Sequence, residues 1–302
     1  MVSENFRGAI LMLVSMVFFA VEDMFIKLLS QGLHFSQVLA IVGGLGFLTF
    51  WALLRIEGHR FLTPDLKQPL LLLRTLGEAI GSVGVVVGLA LTELASTSAI
   101  IQALPLAVVL GAALFLGEPV GWRRWTAIAV GFFGVLLIVR PGLAGFQPVS
   151  VVVLIGVLGL AMRDIATRRI PQHIPSNQVA AMAFLSLIVM ALLLAAIMRQ
   201  PFLMLDGTQV LLSLGCMVVG VAGYATLVAA TRVGEASALA PYRYARLIFA
   251  LAIAYAVFGE RPDAMTLIGA AVVVASGCYT MWRQTQLRRR ALRAAGFTLP
   301  HG

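Results

Sequence analysis

Two arginines interrupt an apolar stretch that runs from Ala236 to Pro262. Arg243 and Arg246 are one helical turn apart, and Tyr242 and Tyr244 flank the first of them. Ionisable side chains at membrane depth are costly unless they face protein or water, so they are candidates for function. Guanidinium groups beside an aromatic ring suit a carboxylate, a phosphate or a planar heteroaromatic ring. The alternative is that the arginines snorkel to lipid headgroups or form ion pairs that hold the fold.

Carboxylates also occur inside two other apolar runs. Glu22 and Asp23 lie in the outer half of the first run, and Asp164 follows Arg163 in the inner half of the sixth. An acidic side chain at this depth can bind a cationic group, relay protons or pair with an arginine. We therefore expect these carboxylates to contact the substrate, a coupling proton or the ninth-run arginines. A purely structural salt bridge is the other interpretation.

Arg74 and Glu78 lie one turn apart in the third apolar run, near its cytoplasmic end. Opposite charges at this spacing attract each other on a helix surface. The sequence therefore predicts a local ion pair, with Glu78 as part of a substrate pocket as the second interpretation.

The elements that must position these residues are membrane-spanning helices. The 302 residues are 60% hydrophobic and 12% charged, and the mean hydropathy is +0.97. A soluble domain could not cover so much apolar surface, so the excess has to face lipid. A span needs about 20 apolar residues, and these runs do not alternate like barrel strands. We predict an all-α membrane protein with ten spans: Gly8–Leu29, Ser36–Leu54, Pro69–Leu91, Ala95–Leu116, Trp125–Val139, Ser150–Thr167, Asn177–Met198, Thr208–Thr231, Ala236–Phe258 and Ala264–Trp282.

Basic residues predict the orientation of these spans, because cytoplasmic loops carry an excess of Lys and Arg. One side of the predicted topology carries Arg7, Arg55, Arg60, Lys67, Arg123, Arg124, Arg168, Arg169, Arg232, Arg283, Arg288, Arg289, Arg290 and Arg293. The other side has little beyond Lys27, Arg140, Arg199 and Arg261. Both termini are therefore expected in the cytoplasm. The net charge of +9 is then explained by a membrane surface and not by nucleic acid.

An internal repeat divides the chain into two halves. One interval separates Glu93 from Glu235, Gly117 from Gly259 and Glu118 from Glu260, and an interval one residue shorter separates Asp23 from Asp164 and Gln37 from Gln178. We predict one repeat over 1–140, a second over 149–282 and a basic cytoplasmic tail over 283–302. Five spans per half is an odd number, so the second half enters the membrane upside down. Inverted repeats of this kind are typical of secondary transporters with one midplane site.

The two repeat ends resemble those of a known family. They read LALTELASTSAIIQALPLAVVLGAALFLGEP and AATRVGEASALAPYRYARLIFALAIAYAVFGERP. Each is an apolar helix closed by Gly-Glu, and the pair resembles the drug/metabolite transporter superfamily in its EamA branch. The resemblance implies a ten-helix protein of the inner membrane, with a central cavity lined mainly by helices one, three, four, six, eight and nine. The second half departs from the first because it has Pro241 and two arginines and lacks a match to Pro105.

The Gly-Glu pairs themselves are expected to form turns, with glutamate capping the next helix, rather than to contact substrate. Glycines such as Gly81, Gly84, Gly88, Gly131 and Gly134 are expected to allow close helix packing.

Sequence signals of an enzyme are absent. The chain has no P-loop and no HExxH motif, and its four histidines are far apart in sequence. We expect no cofactor and no metal, the lipid bilayer as a partner, protons as a candidate coupling ion, and a monomer or homodimer.

These observations predict a secondary transporter that moves a small organic metabolite by alternating access. The resemblance allows several substrates, and the Tyr/Arg-rich ninth span favours a planar heteroaromatic or zwitterionic solute such as riboflavin or S-adenosylmethionine. An amino-acid, amine or drug exporter of the same superfamily is the alternative. An intramembrane enzyme or a non-catalytic scaffold is the alternative of a different class.

Overall fold

The computed structural model describes residues 2–117, 121–143, 145–233 and 239–294. The regular elements in these ranges are helices, which we number by the span they form. They are α1 Val2–Ser30, α2 Phe35–Ile56, α3 Pro69–Leu91, α4a Leu94–Ile101, α4b Leu104–Phe115, α5 Trp122–Val139, α6 Val149–Thr167, α7 Ser176–Met198, α8 Gly207–Val233, α9a Ala240–Tyr244, α9b Ala245–Phe258 and α10 Ala264–Ala294, with a short 3₁₀ turn at Pro64–Lys67.

Nine spans in these ranges are long and apolar enough to cross a membrane, with α4a and α4b counted together. The pair α9a and α9b completes the ten predicted helices. The fifth span begins at Trp122 rather than at the predicted Trp125. The tenth continues past Trp282 to Ala294, so the first part of the predicted tail is helical.

The fourth and ninth spans were each expected to be one α-helix, but the fourth is broken and the ninth changes from 3₁₀ to α geometry. The fourth stops at Ile101 and restarts at Leu104 with Pro105 in its first turn. In the described part of the ninth span, the 3₁₀ helix α9a, with Pro241 in its first turn, is followed directly by α9b. Proline lacks an N–H donor and cannot continue a preceding helix, which accounts for the restart at Pro105. Discontinuous helices at membrane depth are characteristic of transporter binding sites.

Glycines bring pairs of helices into close contact, as predicted. A Cβ added at Gly84 on α3 would lie 2.5 Å from the Cα of Gly156 on α6. A Cβ added at Gly134 on α5 would lie 2.9 Å from the carbonyl oxygen of Gly269 on α10. A side chain at any of these positions would push the helices apart, so the glycines set how closely the backbones approach.

The inverted repeat is visible in two equivalent glutamines. Gln37 on α2 forms two hydrogen bonds with the backbone of Leu203, in the loop between α7 and α8. Gln178 on α7 donates to the carbonyl oxygen of Phe61 and to the hydroxyl of Thr63, in the loop between α2 and α3. Each half therefore holds a loop of the other half at the opposite end of the bundle. Below, the outer end is the one that carries Lys27, named for the orientation that the basic residues predict.

Candidate functional site

Asp23 on α1 and Arg246 on α9b form a bidentate ion pair. Arg246 Nη2 donates to both carboxylate oxygens at 2.7 Å, and Nε donates to Oδ2 at 3.0 Å. The Asp23 side chain is only 2% exposed, and the guanidinium also lies 5.5 Å from the ring centroid of Phe19. Charge-assisted bonds of this geometry are strong, and they satisfy both groups without a substrate. Of the roles considered for the first-helix carboxylates, the structure shows for Asp23 the pairing with a ninth-helix arginine.

Glu22, the neighbour of Asp23, has no such partner. It forms no hydrogen bond and no ion pair within the described ranges, although its charge interacts with that of Arg246. The side chain is half-buried, and its Oε1 lies against α8, where a Cβ added at Gly220 would be only 2.7 Å away. A carboxylate at this depth needs water or a cation beside it, because hydrocarbon cannot solvate a charge.

A second charged group joins α3 to α6. Arg163 on α6 donates from Nη1 to Glu78 on α3 at 3.0 Å, and from Nε to its neighbour Asp164 at 2.8 Å. Arg74 Nη2 lies 3.2 Å from the other oxygen of Glu78, which confirms the ion pair predicted from their spacing. These side chains are 13% to 30% exposed. Charges at this depth avoid lipid, so this exposure indicates that the group borders a water-accessible space.

Arg243 on α9a differs from Arg246 in its surroundings. It is exposed and forms no hydrogen bond or ion pair with any described residue. The charges of Asp164 and Arg163 act on it from α6, and its neighbour Tyr242 is 40% exposed. A free guanidinium beside an exposed aromatic ring can bind a carboxylate, a phosphate or a planar ring.

Tyr244 lies apart from the other predicted site residues. It is 3% exposed, and a Cβ added at Gly277 on α10 would overlap its hydroxyl group. The structure therefore packs Tyr244 against α10, and its hydroxyl has no hydrogen-bond partner among the described atoms.

The charged clusters around Asp23 and around Glu78 have net charges of opposite sign. The cluster of Asp23, Glu22 and Arg246 carries one more negative than positive charge. The cluster of Arg74, Glu78, Arg163, Asp164 and Arg243 carries one more positive than negative charge. Each excess is carried by the member that has no ion-pair partner among the described residues, which is Glu22 in the first cluster and Arg243 in the second. Such an arrangement can bind a solute that carries charges of both signs.

At the outer end of the bundle, a contact that the sequence did not predict connects the end of α9b to α1 and α4a. Glu260, which follows α9b, accepts hydrogen bonds from the backbone N–H groups of Leu94 at 2.9 Å and Ala95 at 3.0 Å. Lys27 on α1 lies 3.1 Å from Glu260 and donates to the carbonyl oxygen of Thr92 at 2.6 Å. Glu260 was expected to cap the helix that follows it. It instead caps α4a of the other half, because that helix start lies beside the α9b turn.

The repeat equivalent of Glu260, Glu118, lies outside the described residues, as does Glu235. The repeated Gly-Glu pair was the only sequence signal that could have pointed to this contact. The repeated pair does not indicate to which helix N-terminus each glutamate would bind.

A second outer contact joins α5 to the start of α10. Arg140 ends α5 in the left-handed conformation and pairs with Asp263, which also accepts from the backbone N–H of Thr266 at 2.8 Å. The hydrogen bond from Arg140, supported by Thr266, lowers the pKa of Asp263 to about 2. The Asp263 side chain is 54% exposed, so solvent screens this pair.

No group of three or more His, Cys, Asp or Glu side chains in the described part of the chain is placed to hold a metal ion.

A broken helix, an inverted repeat and charges that border a water-accessible space define a membrane transporter. The model of the EamA-like transporter family matches residues 6–140 and 148–282, and the chain belongs to that family. This membership confirms the family resemblance and the prediction of a multi-pass transporter of the inner membrane.

Similar proteins in other bacteria are named as transporters of different solutes. The chain is 27% identical to an S-adenosylmethionine uptake transporter of Rickettsia felis, over 67% of this chain and 68% of that protein. It is 27% identical to a riboflavin transporter of Rhizobium johnstonii, over 94% of this chain and 93% of that protein. A crystal structure with a TM-score of 0.58 and 18% identity covers 94% of this chain and 98% of its own, and supports the fold alone.

Proposed function

We propose that the chain transports a small organic solute that presents a carboxylate or similar polar oxygens together with a planar ring. The observation that carries this proposal is Arg243, a guanidinium within a predicted span that is exposed, has no ion-pair partner among the described residues and stands beside the exposed Tyr242. Asp23, Glu78 and Arg246 are satisfied by ion pairs, and we assign them to the walls of the site. Glu22, Asp164, Tyr242 and Arg243 are the residues proposed to face the solute.

S-adenosylmethionine and riboflavin are the proposed candidates, and the two named relatives support them. Both contain a planar heteroaromatic ring that could stack on tyrosine or arginine. Amino acids, amines and drugs are the alternative substrates.

Uptake into proteoliposomes that contain the purified full-length chain tests the proposal. Saturable accumulation of radiolabelled S-adenosylmethionine or riboflavin, above protein-free liposomes, is expected. Accumulation of neither compound, with transport of an amino acid instead, would remove both candidates.

We infer that the solute is moved without chemical change, since the family is one of transporters. Chromatography of the liposome contents checks this inference. Recovery of a converted product in place of the added compound would make the chain an enzyme.

Energy coupling is proposed to depend on a solute gradient or on protons that bind a free carboxylate. Glu22 is the better candidate because Asp23 is held by Arg246 in a bidentate pair. Initial rate and final accumulation measured with and without a proton ionophore distinguish the two mechanisms. One chain contains both inverted halves, so a monomer or homodimer is the proposed working unit, and the mass of the purified chain in detergent checks it.

A further inference from the structure

We propose that Glu22 selects solutes that carry a fixed positive charge, and that Gly220 makes the room in which this selection occurs. The proposal rests on the proposed transport function and names the substrate class more closely: a zwitterion with an additional cationic centre. Arg243 then binds the anionic end of the solute and Glu22 binds its cationic end.

The availability of Glu22 is the first step of the argument. Every other acidic side chain of the two clusters has an arginine within ion-pair distance: Asp23 has Arg246, while Glu78 and Asp164 share Arg163. Arg246 cannot serve Glu22 equally well, because all three of its donated hydrogen bonds go to Asp23. A half-buried carboxylate that has no ion-pair partner among the described residues favours a cation from outside the protein.

The second step concerns the space around the carboxylate. Glu22 Oε1 occupies the side of α8 where Gly220 has no side chain, and a Cβ there would come within 2.7 Å of the oxygen. Glycine at this position therefore allows the carboxylate its observed place between α1 and α8. Alanine would force the flexible end of Glu22 to move while leaving both helix backbones in place.

The third step concerns the distance between the two unpaired charges. Arg243 is three residues before Arg246, and a rise of about 1.5–2.0 Å per residue separates the two by roughly 4.5–6 Å along the helix. Glu22 is next to Asp23, the partner of Arg246. Glu22 and Arg243 therefore both lie within about one helical turn of the Asp23–Arg246 pair along their own helices.

S-adenosylmethionine and S-adenosylhomocysteine provide the probes. The first carries a sulfonium, an ammonium and a carboxylate, and the second has a neutral thioether in place of the sulfonium. Equilibrium binding of radiolabelled S-adenosylmethionine to the purified full-length chain, with each compound as competitor, measures the preference for the cation. Binding is measured without an ion gradient, so a change in energy coupling does not affect the result.

Glu22→Gln keeps the size of the side chain and removes its charge. We expect it to weaken binding of S-adenosylmethionine by about tenfold or more, as for loss of a charge-assisted contact. Binding of S-adenosylhomocysteine should change by less than about threefold, because its thioether does not use the charge. Gly220→Ala should reduce the same preference in the same direction. Glu57→Gln is the matched control, since Glu57 is exposed and its amide replacement can still accept from Asn177.

Size-exclusion chromatography in detergent shows whether each variant is folded, and Gly220→Ala supplies the test if Glu22→Gln is not. An equal loss for both compounds, or an unchanged preference in the folded variant, would overturn the role of Glu22. Wild-type binding of riboflavin and of neither adenosyl compound would also overturn it, while leaving the transport function in place.

Discussion

At the scale of single residues, two arginines that look equivalent in sequence have different surroundings. Arg246 is part of a bidentate pair with Asp23, whereas Arg243 has no ion-pair partner among the described residues. A substitution of Arg243 therefore tests solute binding, whereas a substitution of Arg246 tests stability. From the sequence alone, loss of function in either variant would have been attributed to lost substrate binding.

Arg243→Lys should impair transport in a correctly folded protein. Lysine keeps the positive charge but loses the planar fork that donates to two oxygens. We expect a loss of about 1.5–3 kcal/mol in binding, or about tenfold or more in apparent affinity. Substrate affinity and flux, normalised to folded protein in the membrane, measure the effect. Wild-type values would instead indicate that Arg243 snorkels or acts only through its charge.

Arg246→Ala is the contrasting variant. It leaves the carboxylate of Asp23, which is 2% exposed, without its cation. Breaking a buried pair from one side costs up to about 3–5 kcal/mol, so the thermal stability in detergent should fall sharply. The double variant with Asp23→Ala should recover much of that loss.

Asp263 provides a prediction about pH. Its pKa is lowered to about 2 by Arg140 and Thr266, so the pair contributes stability above the ordinary pKa of 3.8. That contribution is lost as the pH falls through about 2. Because the side chain is 54% exposed, we expect the pair to contribute less than about 1 kcal/mol to the free energy of unfolding. Melting temperatures of the wild type and Asp263→Asn should differ slightly at pH 7 and converge near pH 2.

At the scale of helices, short-range features could be predicted and long-range partners could not. The Arg74–Glu78 pair follows from a spacing within one helix, and Gly84 and Gly134 follow from the need for close packing. The different roles of Arg243 and Arg246 could not be foreseen, because the 3₁₀ segment α9a changes the number of residues per turn between them. Glu260 was placed at a turn, but its target, the start of α4a, depends on how two distant loops meet.

Glu260→Gln tests whether the outer contact controls opening of the bundle. The amide loses the charge that attracts Lys27 and keeps only one oxygen for the two N–H groups of α4a. A weaker contact should increase the population in which the outer ends of α1 and α9b are apart. Spin labels at Gln31→Cys and Arg261→Cys report the distance between these ends.

A longer-distance component should appear or grow in Glu260→Gln relative to the wild type. Glu93→Gln, at an exposed position just before α4a, is the control and should leave the distribution unchanged. An unchanged distribution in Glu260→Gln would mean that the contact only stabilises the fold.

At the scale of the whole molecule, the two inverted halves pair their equivalent carboxylates differently. Asp23 and Asp164 are repeat equivalents, yet Asp23 pairs with α9b and Asp164 pairs within its own helix. The scaffold residues Gln37 and Gln178 kept equivalent roles. The two halves are therefore similar where they hold the bundle together and different where they face the proposed solute.

The repeat also makes a prediction about topology. His59 and Gln200 are separated by the same interval as Asp23 and Asp164, and both are exposed in loops of the structure. Inverted halves must place these two equivalent positions on opposite sides of the membrane. The excess of basic residues further predicts that His59 is in the cytoplasm.

Single cysteines introduced by His59→Cys and Gln200→Cys, in a background with Cys216 and Cys278 replaced, report on which side of the membrane each position lies. A membrane-impermeant maleimide should label Gln200→Cys in intact cells and His59→Cys only after permeabilisation. The reverse labelling pattern would agree with the inverted repeat but would show the opposite orientation of the protein in the membrane. Labelling of both positions from the same side would contradict the inverted repeat itself.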